Sequence, residues 1–136
     1  MSEDNVELVR GMLADFSAFN RVLALLAPDF VWDLSTFEGW TGQDKFQGPD
    51  AFIEFMRSWM EPYDDLRLET EAVVQAGADK VVAVLRQRGH LRDSDSWVEM
   101  HYGIVYTVNS GQIRRAQVYA TPNEALESAE QRQETA

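Results

Sequence analysis

Hydrophobic positions in this chain change period several times, and each change marks an element. Over residues 5–19, Val6, Val9, Leu13 and Phe16 recur at helical spacing with charged residues between them, which predicts an amphipathic helix. A second, short helix is predicted from Asn20 to Ala27, carrying Val22, Leu23, Leu25 and Leu26. Pro28 ends it, because proline has no N–H to donate to the preceding turn. The period then drops to two. Phe30, Trp32 and Leu34 alternate with Val31, Asp33 and Ser35, as expected of a strand with one strongly apolar face.

Residues 36–48 show no regular period, although Phe37, Trp40 and Phe46 sit among Gly39, Gly42 and Gly48. A third helix is predicted from Pro49, a favoured first helical position, with Asp50 in the turn where the helix dipole favours negative charge. Phe52, Phe55, Met56, Trp59 and Met60 form its apolar stripe, and Pro62 stops it. Beyond Asp64 and Asp65 the pattern is a meander of four strands: Leu66–Ala76, Lys80–Leu91, Trp97–Val108 and Gln112–Ala120. Turn residues join them at 76–79, 93–96 and 109–111. Thr121-Pro122-Asn123-Glu124 supplies an N-cap, a first-turn proline and a capping-box glutamate for a last helix to about Ala129. Helices, one strand, a helix and a run of strands make an α+β chain, with helices on one face of a bent antiparallel sheet. A single domain over 1–129 and a polar tail over 130–136 follow.

Alternation also assigns faces. Between Trp97 and Val108, the residues Val98, Met100, Tyr102, Ile104 and Tyr106 form the interior set. Trp97, Glu99, His101, Gly103, Val105 and Thr107 form a mixed outer set, as expected of a face partly covered by a second subunit. In the last strand Ala116, Val118 and Ala120 point inward and Arg115, Gln117 and Tyr119 outward. The strand from Lys80 leaves two readings open. If Val82 and Val84 face inward, Arg86 and Arg88 follow them toward the mouth of any enclosed pocket. If Val81, Ala83 and Leu85 do, both arginines are solvated surface charges.

Composition narrows the function classes. The 136 residues include 12 basic and 23 acidic ones, for a net charge of -11, and no cysteine. Phosphate binding needs clustered Lys and Arg, so neither a nucleic acid nor an anionic membrane surface is an expected partner. Lack of cysteine removes thiolate nucleophiles and Cys-type metal sites. His90 and His101, with Asp95 and Glu99, do not make metal-ligand spacing, so neither a metal nor a cofactor is expected. The start, Met1-Ser2-Glu3-Asp4, lacks the basic flank and apolar stretch of a signal peptide, which suggests a cytoplasmic protein.

Several segments together resemble the SnoaL-like group of the nuclear transport factor 2-like superfamily. They are residues 30–35, the Phe37-Glu38-Gly39-Trp40 loop, Gly48-Pro49-Asp50-Ala51-Phe52 with Trp59, residues 106–113 and residues 118–127. The resemblance spans about Asn5 to Ala129. It implies a cone-shaped, cystatin-like α+β fold whose bent antiparallel sheet packs on three helices around a pocket. Members include polyketide cyclases, ketosteroid isomerases and epoxide hydrolases, so the fold leaves the reaction open. The base position of isomerase-like members falls on Leu34, and their buried acid on Ile104. The Arg-x-Asp pair of limonene epoxide hydrolase-like members falls on Arg86 and Arg88, and their last-strand Asp on Val118.

The resemblance places Trp32, Leu34, Trp40, Phe52, Phe55, Trp59, Met100, Tyr102, Ile104, Val118 and Ala120 around the interior. Such a lining suits a flat, largely apolar ligand; any of these side chains could equally be core. Inward-facing Arg86 and Arg88 could hold an enolate or carboxylate, and Tyr102 could donate to a ligand oxygen, which makes these three the candidate catalytic residues. The loop at 35–47 reads either as a lid or as a segment anchored by Phe37 and Trp40. Asp33 points outward by alternation. Two functions result: a cyclase, isomerase or hydratase acting on a hydrophobic carbonyl or polyketide-like compound, and a non-catalytic ligand-binding or dimeric interaction module. The expected partners are a small hydrophobic molecule, neutral or anionic, and a second copy of the chain packed on the outer sheet face.

Overall fold

The computed structural model describes residues 2–16 and 18–135. Helices α1 (Ser2–Ala14) and α2 (Phe19–Leu25) lead into strand β1 (Leu26–Asp33). A short β2 (Lys45–Gln47) and helix α3 (Pro49–Met60) come next. The meander follows as β3 (Tyr63–Gln75), β4 (Lys80–Leu91), β5 (Trp97–Asn109) and β6 (Gln112–Tyr119), and α4 (Pro122–Thr135) closes the chain. The fold is α+β, as the pattern of periods indicates. Helix α4 runs on to Thr135, into the segment expected to be a tail.

One six-stranded sheet runs β2-β1-β6-β5-β4-β3. Neighbours are antiparallel except β1 and β6, whose parallel pairing sets Trp32 opposite Ala116. Pro28 lies inside β1, where the register against β6 shifts between Leu26 and Val31. That interruption is where a residue without an N–H can be accommodated in a strand. The loop read as aperiodic contains β2, which is too short for its alternation to register.

The inner sheet face carries the main core, including Phe30, Trp32, Leu85, Ile104 and Val118, beneath residues of α1, α2 and α3. These are the three helices expected around the pocket, and α4 packs on the opposite face. Ala125 and Ala129 of α4 cluster there with Val82, Val105 and Tyr119. Gly103 makes this docking possible, since a Cβ at that position would stand 2.6 Å from the Ala125 Cβ. Both faces of β4 are therefore covered, and Val81 through Val84 and Leu85 are all buried. Asp33, 1% exposed, faces outward and is held by Arg115 and the Ser35 N–H at 2.8 Å. A buried carboxylate is tolerable when it is paired and hydrogen-bonded in this way.

Candidate functional site

Helix α3 begins after Gly48, whose φ of 91° suits glycine alone, and Pro49 and Asp50 fill its first turn. Its stripe then aims Phe52, Phe55, Met56 and Trp59 at the inner face of the sheet. Leu85 and Gln87 of β4, Met100, Tyr102, Ile104 and Tyr106 of β5, Val118 of β6 and Trp32 of β1 face them. Between the two layers lies a pocket of about 790 Å³, its open mouth included. Met12, Leu13 and Phe16 close one side, and Phe37 and Trp40 another.

Aromatic rings build much of the wall. Trp32 sits 4.8 Å from Phe52, Phe55 stacks on Trp59 at 5.8 Å, and Trp40 lies 5.9 Å from Phe55. Such offset and tilted pairs suit the ring quadrupoles. The loop that carries Trp40 is tied to the sheet by Thr36 Oγ1, which donates to the Val118 carbonyl at 2.9 Å, and is braced internally by Trp40 Nε1, which donates to the Gln43 carbonyl at 2.9 Å. It is thus an anchored segment whose two aromatics also form pocket wall.

Polar groups are few. Gln87, 4% exposed, accepts two hydrogen bonds at Oε1, from Trp59 Nε1 at 3.1 Å and from Tyr102 Oη at 3.0 Å. Burial drives the Tyr102 hydroxyl well above the ordinary tyrosine range, with Tyr63 adding to the effect. Burial does the same to Tyr106, with Tyr102 nearby as the second cause. Both phenols therefore stay protonated at neutral pH. Among the described residues lining the pocket there is no Asp, Glu, His, Lys or Arg.

Of the residues expected around the interior, Trp32, Leu34, Trp40, Phe55, Trp59, Met100, Ile104 and Val118 line the pocket together with Phe52 and Tyr102. Ala120 does not. The β5–β6 ladder ends at the pairing of Gly103 with Tyr119, so Ala120 lies past the sheet in the turn to α4. The inward alternative for Arg86 and Arg88 is also overturned. Register sets Arg86 opposite His101 and Arg88 opposite Glu99, on the outer face. Arg86 donates to Glu71 at 3.0 Å and to Glu99, while Arg88 sits 4.7 Å over the Trp97 ring. Arg86, and then His101 at 2.6 Å, hold the Glu71 carboxyl below its usual range. The carboxylates that balance the arginines are all outside, and an inward guanidinium would have stood unpaired among apolar walls. Gln87 is not apparent from the sequence, because its polarity hides it in an alternation scored by apolar residues.

A SnoaL-like domain profile matches residues 9–116. The chain belongs to the SnoaL-like family. Its fold is the cone-shaped nuclear transport factor 2-like one, shared with solved structures of low sequence identity. A candidate SnoaL-like polyketide cyclase from Jannaschia sp. CCS1 superposes with a TM-score of 0.75 at 17% identity, covering 96% of this chain and 94% of its own. A nuclear transport factor 2-like protein of unknown function from Burkholderia pseudomallei gives 0.74 at 20%, with coverages of 93% and 97%. A limonene epoxide hydrolase-like enzyme from M. tuberculosis gives 0.69 at 15%, covering 94% and 90%. Among curated proteins none matches this sequence significantly. No helix among the described residues is long and apolar enough to cross a membrane. Within the SnoaL-like fold, Leu34, Ile104 and Val118 present only hydrocarbon to the pocket.

Proposed function

We propose that this SnoaL-like protein binds a small, flat, largely apolar molecule in its pocket and does not itself perform acid–base chemistry on it. The observation that carries this reading is the lining: aromatic and aliphatic throughout, with Gln87 and two tyrosines as its polar side chains apart from indole N–H groups. A general base must reach its proton in an ionised or neutral basic form, and protonated phenols driven upward by burial offer none. Of the three residues expected to act in catalysis, only Tyr102 reaches the pocket, and its proton is already donated to Gln87. The names of the similar structures include a cyclase and an epoxide hydrolase, which supports a small-molecule pocket while leaving the chemistry to the residues present.

Thermal unfolding against a library of polycyclic aromatics and ketones tests this reading. A ligand at one hundred times its Kd stabilises by about 2.7 kcal/mol, so binders raise Tm by several degrees, and mass spectrometry finds each recovered unchanged. Turnover of a bound compound that Tyr102→Phe abolishes would favour the cyclase, isomerase or hydratase reading instead.

The same reading includes a homodimer through part of the outer sheet face. Val105 and Tyr119, expected in that interface, lie under α4, so the exposed part narrows to β3–β5. There Arg67, Arg86 and Arg88 interleave with Asp65, Glu71 and Glu99 around Trp97, which is 40% exposed. A patch carrying both signs is complementary to itself across a two-fold axis, so a second copy is the partner it fits. Light scattering at micromolar concentration is expected to give a dimer mass, reduced to a monomer by Arg88→Glu. A monomer in the unsubstituted protein removes the proposal.

A further inference from the structure

The orientation of one buried amide says which polar group the ligand carries. An indole N–H is a donor only. Its bond from Trp59 therefore requires that the oxygen of the Gln87 amide, not the nitrogen, faces it. Tyr102 Oη reaches the same oxygen and must donate as well. With the oxygen fixed by two donors, the Gln87 NH₂ is turned toward Met100, whose thioether sulfur at 3.9 Å is a weak acceptor. Two N–H donors in a nearly fully buried side chain thus have, among the described residues, a single poor partner. A donor left without a good acceptor in such surroundings is costly, and the pocket it borders holds no carboxylate to satisfy it.

We infer that the Gln87 NH₂ is the specificity-determining donor of the pocket, and that it takes an uncharged acceptor oxygen, such as a ketone or quinone carbonyl, at the edge of a flat apolar ligand. The inference rests on the binding reading above and adds the ligand's functional group and charge. An anionic ligand is disfavoured because its charge would be buried against apolar walls with no cation to meet it, Arg86 and Arg88 being on the far face of the sheet. Here the expectation of a neutral or anionic ligand narrows to a neutral one. Trp59 and Tyr102 act through Gln87 as positioning residues, since their donors hold the amide in the required sense.

Three matched probes test this: fluorene, fluorenone, and fluorene bearing an ionised carboxylate. Their affinities for the full chain are read from tryptophan fluorescence. The ratio of fluorenone to fluorene affinity is expected to fall about tenfold in Gln87→Met, the size of one net hydrogen bond. Tyr102→Phe removes one of the two donors that orient the amide and is expected to lower the ratio by a smaller factor, while Val74→Ala, at an exposed residue outside the pocket lining, is expected to keep it. In the unsubstituted protein, fluorenone should move the side-chain amide proton resonances of Gln87 downfield, while fluorene does not, a readout that stands even if Gln87→Met fails to fold. Carboxylate binding as tight as fluorenone overturns the charge assignment. An unchanged ratio with unmoved amide resonances overturns the inference and leaves the binding reading intact. Failure of all three probes to bind overturns both.

Discussion

Replacing Phe30 with alanine is expected to lower the unfolding free energy by about 3–5 kcal/mol, the range for a buried aromatic truncated to alanine. Phe30 is 1% exposed and meets Phe52 edge to face at 5.3 Å. Its removal takes away apolar burial and opens a void between β1 and α3. Because the protein interior is packed nearly as densely as an organic crystal, that void is only partly refilled. Against a total stability of roughly 5–15 kcal/mol for a domain, the change leaves a marginal fold. Urea titration should show the midpoint falling with little change in slope, and Tm should drop by roughly 10–20 °C. The exposed Val74, at 42%, provides the control, with Val74→Ala expected within about 0.5 kcal/mol of the parent. A loss below 1 kcal/mol at Phe30 would mean that β1 does not pack as described.

Gly103→Val is expected to displace α4 from the sheet and cost about 1–3 kcal/mol, the usual penalty for overpacking. The new Cβ would stand 2.6 Å from the Ala125 Cβ and 3.3 Å from the Pro122 Cα. One neighbour is helix and the other is the backbone that starts it, so no flexible side chain can swing aside. Hydrogen exchange should quicken in α4 while β3 remains protected, and a dye that binds apolar surface should report the uncovering of Val82, Val105 and Tyr119. Adding Ala125→Gly removes the opposing methyl at a helix cost of about 1 kcal/mol. The two changes should therefore couple in a double-mutant cycle. Additive effects would show that α4 does not dock at Gly103.

Much of this architecture is legible in the residues themselves, and the failures have physical causes. The faces of β5 read correctly because Val98, Met100, Tyr102, Ile104 and Tyr106 alternate against a set containing Glu99, His101 and Thr107. Strand β4 hides its facing for the opposite reason. With the pocket layer on one side and α4 on the other, Val81 to Leu85 form an unbroken apolar run, as strands covered on both faces do. The sense of that run decides where Arg86 and Arg88 point, and only the pairing with β5 settles it. The docking of α4 is not legible because its small apolar residues, Ala125 and Ala129, carry little periodic signal. Gln87 is not legible as a site residue because a buried glutamine is justified by its partners, and Trp59 and Tyr102 lie far from it along the chain.

The parallel pairing of β1 with β6 also bears on how the chain is made. Trp32 and Ala116 are neighbours in the sheet, yet a ribosome delivers most of the domain between them. Pairings so distant in sequence close late and slow folding. During synthesis the aromatic segment around Phe30 and Trp32 must wait, uncovered on its β6 edge, until the last strand emerges. Exposed strand edges of that kind invite association between nascent chains. Truncation before β6 should accordingly yield an aggregating polypeptide rather than a smaller folded unit, and the final strand is the piece on which recovery of the whole domain depends.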